Sequence, residues 1–308
     1  MGRTFIGLFA ALIWVQAAHA SASTPPDVLV PYGDEAAEVA FQPGGLEEMA
    51  HGPSALAVSG QRLYIADNLN HRVLVLTRHG EPVRSLSMVA PASDIAVEVG
   101  GSLAVLDAAR DRLLVMDAAG GIRLDQALEG GSVRHLALGP TGRAWMVLAD
   151  GHAVAVEGGS GRVHAAPMGP GASWHAAGRK VSDRQGEVLL WSWGREALLK
   201  PQGPTRTIPV QTQQELGLIR PMGMDVHGRL YVHLETLGES QELRVRTTIL
   251  RVDPDGSQHR ISWEPSSFAP SIQDLALGDD GTVYRMEATP SGLGVWRYDA
   301  SRWQEVVR

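Results

Sequence analysis

Residues 55–88 read ALAVSGQRLYIADNLNHRVLVLTRHGEPVRSLSM, and residues 94–128 read DIAVEVGGSLAVLDAARDRLLVMDAAGGIRLDQAL. Laid over one another, the two stretches correspond almost end to end. Each runs through a short apolar strand, a Gly-bearing turn, a second apolar strand ending in Asp, and a polar loop containing Arg. A third apolar strand, another Gly turn and a fourth, more polar strand complete the unit. Self-similarity of this kind marks a repeat architecture and has to be read before any single motif.

The same grammar recurs from His135, Lys180, Gly223 and Asp274. The turn glycines Gly60, Gly101, Gly142, Gly186, Gly228 and Gly281 keep a spacing of roughly 40 to 50 residues, the period of a four-stranded blade. Gly at these turns supplies the positive φ that a tight hairpin requires. The second strands, such as 63–66, 103–106 and 188–191, are nearly continuous apolar runs, as expected of strands covered on both faces. No segment carries a long, capped apolar period of a helix. The pattern predicts an all-β chain, a six-bladed β-propeller of four-stranded antiparallel blades, forming one domain over residues 36–308. The ring would be closed by RWQEVV (302–307) completing the sixth blade or by EVAFQ (38–42) adding to it.

The start of the chain has Arg3, an apolar run from Phe5 to Val15, and the small-residue pattern Ala18-His19-Ala20. This is the layout of a secretory signal peptide, assigned to residues 1–20, with an exposed leader over residues 21–35. The run of about 11 residues is short of the ~20 that span a bilayer, so no membrane span is expected after cleavage. An exported chain follows, periplasmic or extracellular. The 308 residues contain no cysteine, which excludes thiol catalysis, Cys-ligated metals and disulfides. The net charge of −7 offers no basic excess for a phosphate backbone, so nucleic acid is not an expected partner.

Pro53, the strand Leu56-Ala57-Val58, Asp67 and the run Asn70-His71-Arg72-Val73 resemble the NHL repeat, a propeller blade in which Leu more often stands where Arg72 does. The second unit keeps Asp107 and Arg112. The resemblance implies an interaction platform for a protein, peptide or glycan. The wider six-bladed group also contains metal-dependent enzymes. Gluconolactonase-like members draw a Glu, Asn residues and an Asp from different blades, whereas Asn68 and Asn70 here share one loop. The peptidyl-hydroxyglycine lyase type relies on a His triad and on disulfides, and the latter cannot form.

In such a ring, the loops between blades and between second and third strands open on one face. The long segments 42–54, 167–179, 211–222, 264–273 and the insertion 234–247 all fall there, which makes that face the candidate binding surface. The repeat register places Ala55, Asp94, His135, Lys180, Gly223 and Asp274 at the starts of the innermost strands. Asp94, His135, Lys180 and Asp274 are therefore candidate ligand-binding groups at the channel mouth, or else the polar lining of a solvated channel. Lys180 argues against a cation among those carboxylates, and no metal or cofactor is expected. Trp174 and His175 lie in a long loop near the same mouth, as a ligand platform or as rim packing. No nucleophile elbow, zincin pair or phosphate loop occurs. Asp67 with Arg72, and Asp107 with Arg112, are expected to pair across their hairpins as repeated structural devices. The function expected is a binding module, with a metal-dependent propeller lyase or hydrolase as the alternative.

Overall fold

A computed structural model describes the backbone of residues 25–45, 49–97, 100–128, 133–138, 144–148, 153–157, 162–165, 178–183, 186–193, 196–201, 208–211, 215–237, 245–263 and 274–306. Side chains are described for residues 25–45, 49–97, 100–128, 136, 222, 225–236, 245–263 and 274–306.

The chain is built from antiparallel strands. After β1 (Val28–Val30), the first sheet comprises β2 (Ala55–Ser59), β3 (Arg62–Asp67), β4 (Arg72–Thr77) and β5 (Pro82–Ser87). The second comprises β6 (Asp94–Val97), β7 (Leu103–Asp107), β8 (Arg112–Met116) and β9 (Ile122–Ala127). The third has β10 (Val133–Leu138), β11 (Ala144–Leu148), β12 (Ala153–Glu157) and β13 (Arg162–Ala165). The fourth has β14 (Gly178–Asp183), β15 (Gly186–Trp193), β16 (Glu196–Pro201) and β17 (Ile208–Gln211). The fifth has β18 (Glu215–Met224), β19 (Leu230–Leu237), β20 (Val245–Val252) and β21 (Gln258–Trp263), and the sixth has β22 (Leu275–Leu277), β23 (Val283–Thr289) and β24 (Gly292–Tyr298). A final strand, β25 (Gln304–Glu305), follows a single 3-10 turn at Ala300–Arg302, the only helical element among the described residues.

First strands of neighbouring sheets lie side by side, β22 against β2, β2 against β6, β6 against β10, and β18 against both β14 and β22. The seams between sheets hold the core. Leu56, Val58, Leu63, Ile65 and Leu74 of the first sheet interdigitate with Ala276, Tyr284, Met286, Leu293 and Val295 of the sixth. On their other face, Ala57, Tyr64, Ala66, Val73 and Val75 meet Ile95, Val97, Leu103 and Val105 of the second. The second strand of the first sheet, β3, is therefore buried on both faces, which is why its sequence is a continuous apolar run rather than an alternating one. Among the described residues, Gly60, Gly101, Gly228 and Gly281 take a positive φ at the expected 1–2 turns, whereas Gly186 lies within β15. Gly281 has φ +82°, and a Cβ there would collide with the Tyr231 hydroxyl and the Asp225 carboxylate of the fifth sheet.

Three sequence expectations are corrected. Neither RWQEVV nor EVAFQ completes the sixth sheet. Its fourth strand is β1, paired antiparallel to β24 with Val28 opposite Val295 and Val30 opposite Leu293. Residues 28–30 are thus not part of an exposed leader, since Val28 and Val30 are buried in the seam with the first sheet. The C-terminal residues Gln304 and Glu305 instead pair with Arg260 and His259, so β25 is a fifth strand on the fifth sheet.

Residues 215–222 and parts of 234–247, expected as loops, belong to long strands of the fifth sheet. There the register shifts between Leu216 and Leu218 and again between Pro221 and Gly223. A proline without an amide proton sits where the ladder is already broken by a bulge.

The third correction concerns the repeated Asp–Arg hairpin. In the first sheet Arg72 Nε donates to Asp67 Oδ2 at 2.8 Å, as expected. In the second, Asp107 accepts the Arg110 amide at 3.1 Å, while Arg112 turns to Asp125 across to β9, with Nε 2.8 Å from Oδ1. Arg112 thus takes the carboxylate diagonal to it on the outer strand, where Asp125 lies opposite Leu114, over Asp107, which lies directly opposite it.

Candidate functional site

The seam between the fifth and sixth sheets differs chemically from the two seams above. Tyr231, Ile249, Leu275 and Val283 form its apolar base, with Trp263, Tyr298 and Trp303 packed against them. Because side chains of a strand repeat their face every second residue, His233 and Glu235 follow Tyr231 on the seam side of β19. Arg285 and Glu287 follow Val283 on the facing side of β23. Arg285 stands at the repeat position occupied by Ile65 and Val105, and His233 at that of Ala66 and Leu106. Aliphatic packing is thus replaced by ionisable groups toward the ends of these strands, on the face where Asp274 leads into β22.

His233 and Arg285 are buried, 3 % and 8 % exposed. His233 Nε2 lies 3.5 Å from Glu235 Oε1, and Glu235 is the more accessible of the pair. Arg285 forms an ion pair with Glu287. Its guanidinium lies over the Trp263 ring at 5.2 Å and over the Trp296 ring at 4.5 Å, and Trp263 in turn stacks on Tyr298 at 5.4 Å. Burial lowers the Arg285 pKa from its usual value, and the charges of Tyr298 and Asp274 offset part of that shift. A cation held over aromatic faces, with carboxylates at its edge, loses little entropy when it donates a hydrogen bond. Of these groups Glu235 is the accessible one, whereas the Arg285 guanidinium and the His233 imidazole are buried.

The sequence candidates fare differently. Asp94, the first residue of β6, is fully buried, and its oxygens accept the amides of Ile95 at 2.8 Å and Leu136 at 2.6 Å. It fastens the second sheet to the third, which withdraws it from the solvent-facing set. Asp274 precedes β22, its carbonyl takes the Met286 amide at 2.7 Å, and its charge reaches Arg285. His135 in β10 lies opposite Val147, and Lys180 in β14 lies opposite Leu189; their side chains fall outside the described residues. Trp174 and His175 lie outside the described residues altogether.

Sequence reading missed His233, Glu235, Arg285 and Glu287. The available signal was a charged residue inside a second strand, LYVHLE and VYRMEA, where the other units are apolar. Among the described residues no three His, Asp or Glu side chains are grouped to hold a metal ion, and no helix is long and apolar enough to cross a membrane.

The loops on this face are tied together in the first two sheets. Ser54 Oγ donates to the Ala92 carbonyl at 2.7 Å and contacts Asn68 Oδ1 at 3.1 Å, and the Met88 amide donates to the His71 carbonyl at 2.7 Å. On this tied platform Met49, Leu69 and Val89 remain 70 %, 41 % and 77 % exposed.

No protein-family model matches the chain, and no curated protein does. Among solved structures, a member of the DUF4221 family from Bacteroides vulgatus superposes with TM-score 0.51 at 8 % identity, covering 92 % of this chain and 95 % of that one. A streptogramin B lyase superposes with TM-score 0.46 at 11 % identity, over 86 % of this chain and 97 % of that one. Virginiamycin B lyase from Staphylococcus aureus gives TM-score 0.45 at 12 % identity, over 82 % and 85 %. Together with the antiparallel sheets, the first of these likenesses establishes a fold of the β-propeller type and nothing about chemistry.

Proposed function

We propose that the protein is an exported, NHL-like β-propeller, six blades around a channel, acting as a binding module for a protein, peptide or glycan. The ligand is taken on the loop-bearing face, in a periplasm or outside the cell. The observation that carries this reading is the ionisable seam, where Glu235, Asp274 and Arg285 come from two sheets to the face that also holds the loops. Buried charge in a place that the two seams flanking the first sheet fill with aliphatic carbon is expensive, and such expense supports a site there. The exposed Met49, Leu69 and Val89 on the same face add the apolar contact that protein and peptide ligands use.

The test is to probe peptide and glycan arrays with the purified protein and to repeat the measurement with a Glu235→Gln, Asp274→Asn double variant. Specific binding lost in the double variant supports the reading. Binding indifferent to it, or no binding on either array, overturns it. Metal content of the same preparation separates the binding reading from a metal-dependent lyase or hydrolase: bound zinc or calcium lost on mutating His135 or Asp274 would favour the enzyme.

A further inference from the structure

The first two sheets build the same turn with different side chains. His71 and Asp111 both sit at φ 49°, and their carbonyls accept the amides of Met88 and Leu128 at 2.7 Å in each case. The second sheet makes this turn without an Asp107–Arg112 bond, so the Asp67–Arg72 bond is not what the turn shape requires. Its partners show what it holds. Asp67 Oδ1 accepts the Ala40 amide at 3.0 Å, and Asp67 Oδ2 accepts Asn70 Nδ2 at 2.9 Å. Asn70 Nδ2 also donates to the Gly33 carbonyl at 3.1 Å. Arg72 donates to the carbonyls of Asp34, Glu35 and Glu38 at 3.3, 2.8 and 2.6 Å. All of these carbonyls and the amide belong to the segment that leaves β1. At the second sheet no such segment passes among the described residues; Asn70 is replaced by Arg110, and Arg112 goes to Asp125.

The segment is a self-contained unit. The Gly33 amide donates to Val39 O at 3.0 Å and the Val39 amide to Pro31 O at 2.9 Å, and Tyr32 stacks on Phe41 at 4.6 Å. Residues 33–36 are half-buried or exposed, and Val39 is the one residue between 31 and 42 that is fully buried, in the seam of sheets one and six. At its other end, the Tyr32 hydroxyl donates to the Thr289 carbonyl at 2.9 Å. Few buried apolar contacts and many peripheral hydrogen bonds describe a unit that opens below the global unfolding free energy.

We propose that residues 31–42 form a strap across sheets six and one that opens as a unit with β1, and that Asp67, Asn70 and Arg72 are its lock. Of the first two units, the first alone has the complete NHL-like spelling, because it has a strap to hold. Opening empties the socket of Val39 and bares the β24 edge, while sheets one and two stay paired. This inference is independent of the ligand reading above.

Native-state hydrogen exchange of the full protein tests it. In the wild type, amides of the strap and those shared by β1 and β24 should exchange with one common opening equilibrium, distinctly more favourable than that of β2 to β4. Arg72→Ala should accelerate this set at least about tenfold and leave β6 to β9 unchanged. Asn70→Ala should give a smaller acceleration of the same set, and Arg112→Ala none. If wild-type strap amides open only with β2 to β4, or if Arg72→Ala and Arg112→Ala act alike, the proposal fails.

Discussion

Removing one carboxylate from each of two equivalent hairpins should have very unequal effects. Asp67 is fully buried and accepts three hydrogen bonds, from Ala40 N, Asn70 Nδ2 and Arg72 Nε, the last being a charge pair with an arginine side chain only 11 % exposed. Asp67→Ala leaves those donors without their acceptor and a guanidinium without its counter-charge. Breaking a pair of this kind costs about 3 to 5 kcal/mol. Asp107 is as deeply placed, but its partners are the Arg110 amide at 3.1 Å and an Arg110 side chain 54 % exposed at 3.8 Å. One backbone hydrogen bond is worth about 1 to 2 kcal/mol when its carboxylate is removed, and an exposed ion pair adds little. Urea unfolding followed by tryptophan fluorescence measures both. Asp67→Ala should lower the midpoint at least twice as far as Asp107→Ala at unchanged slope. Equal shifts in the two variants would refute the account, because they would mean that the carboxylate serves the turn and not the segment it holds.

Three further outcomes are expected. Arg285→Met removes an ion-pair partner of the Glu287 carboxylate in the seam and should lose about 3 kcal/mol, part of which returns in the Arg285→Met, Glu287→Gln double variant, as a double-mutant cycle in urea would show. Gly281→Ala places a Cβ at φ +82° against Tyr231 and Asp225, so its thermal midpoint should fall by an amount equivalent to about 2 kcal/mol. Asp280 and Asp117 are both held below their ordinary value of 3.8: for Asp280, burial pulls upward but the Arg78 and Thr282 hydrogen bonds outweigh it, and for Asp117 the Gly121 amide leads. A depressed folded pKa means stability that is complete above about pH 4 and lost as pH falls through the folded values. Urea midpoints taken downward from pH 6 should therefore fall less steeply in Asp280→Asn than in the wild type.

The repeat grammar, the hairpin glycines and the Asp67–Arg72 bond could all be read from residues close together in sequence. What could not be read depends on partners far away. Val28-Leu29-Val30 is too short a run, with Pro31 directly behind it, to announce a strand, and its partner β24 lies at the other end of the sequence. Glu215 to Met222 looked like a connection because Gly217 and Pro221 interrupt it; the bulges that absorb them exist only against β19. Asp107 and Arg112 matched the first unit letter for letter, but Asp125 on the next strand offered a nearer acceptor. The ionisable seam was half visible, since Arg285 and His233 break apolar strands, yet only the pairing of the fifth sheet with the sixth brings those two departures to one place.

The meeting of β1 with β24 also orders events in time. Tyr32 and Thr289 are 257 positions apart, and Asp27 touches Arg302 across 275. The strand made first among those described is completed last, after each intervening sheet has had the chance to form from neighbouring hairpins. Chain entropy makes this long closure only slightly dearer than a short one, since each doubling of loop length adds about 0.6 kcal/mol. The burden is kinetic, because contacts of such range form slowly. Until β1 arrives, β24 presents a bare edge to any other nascent chain. A weakened Val28 or Val30 should therefore be felt first as slow recovery and aggregation during refolding.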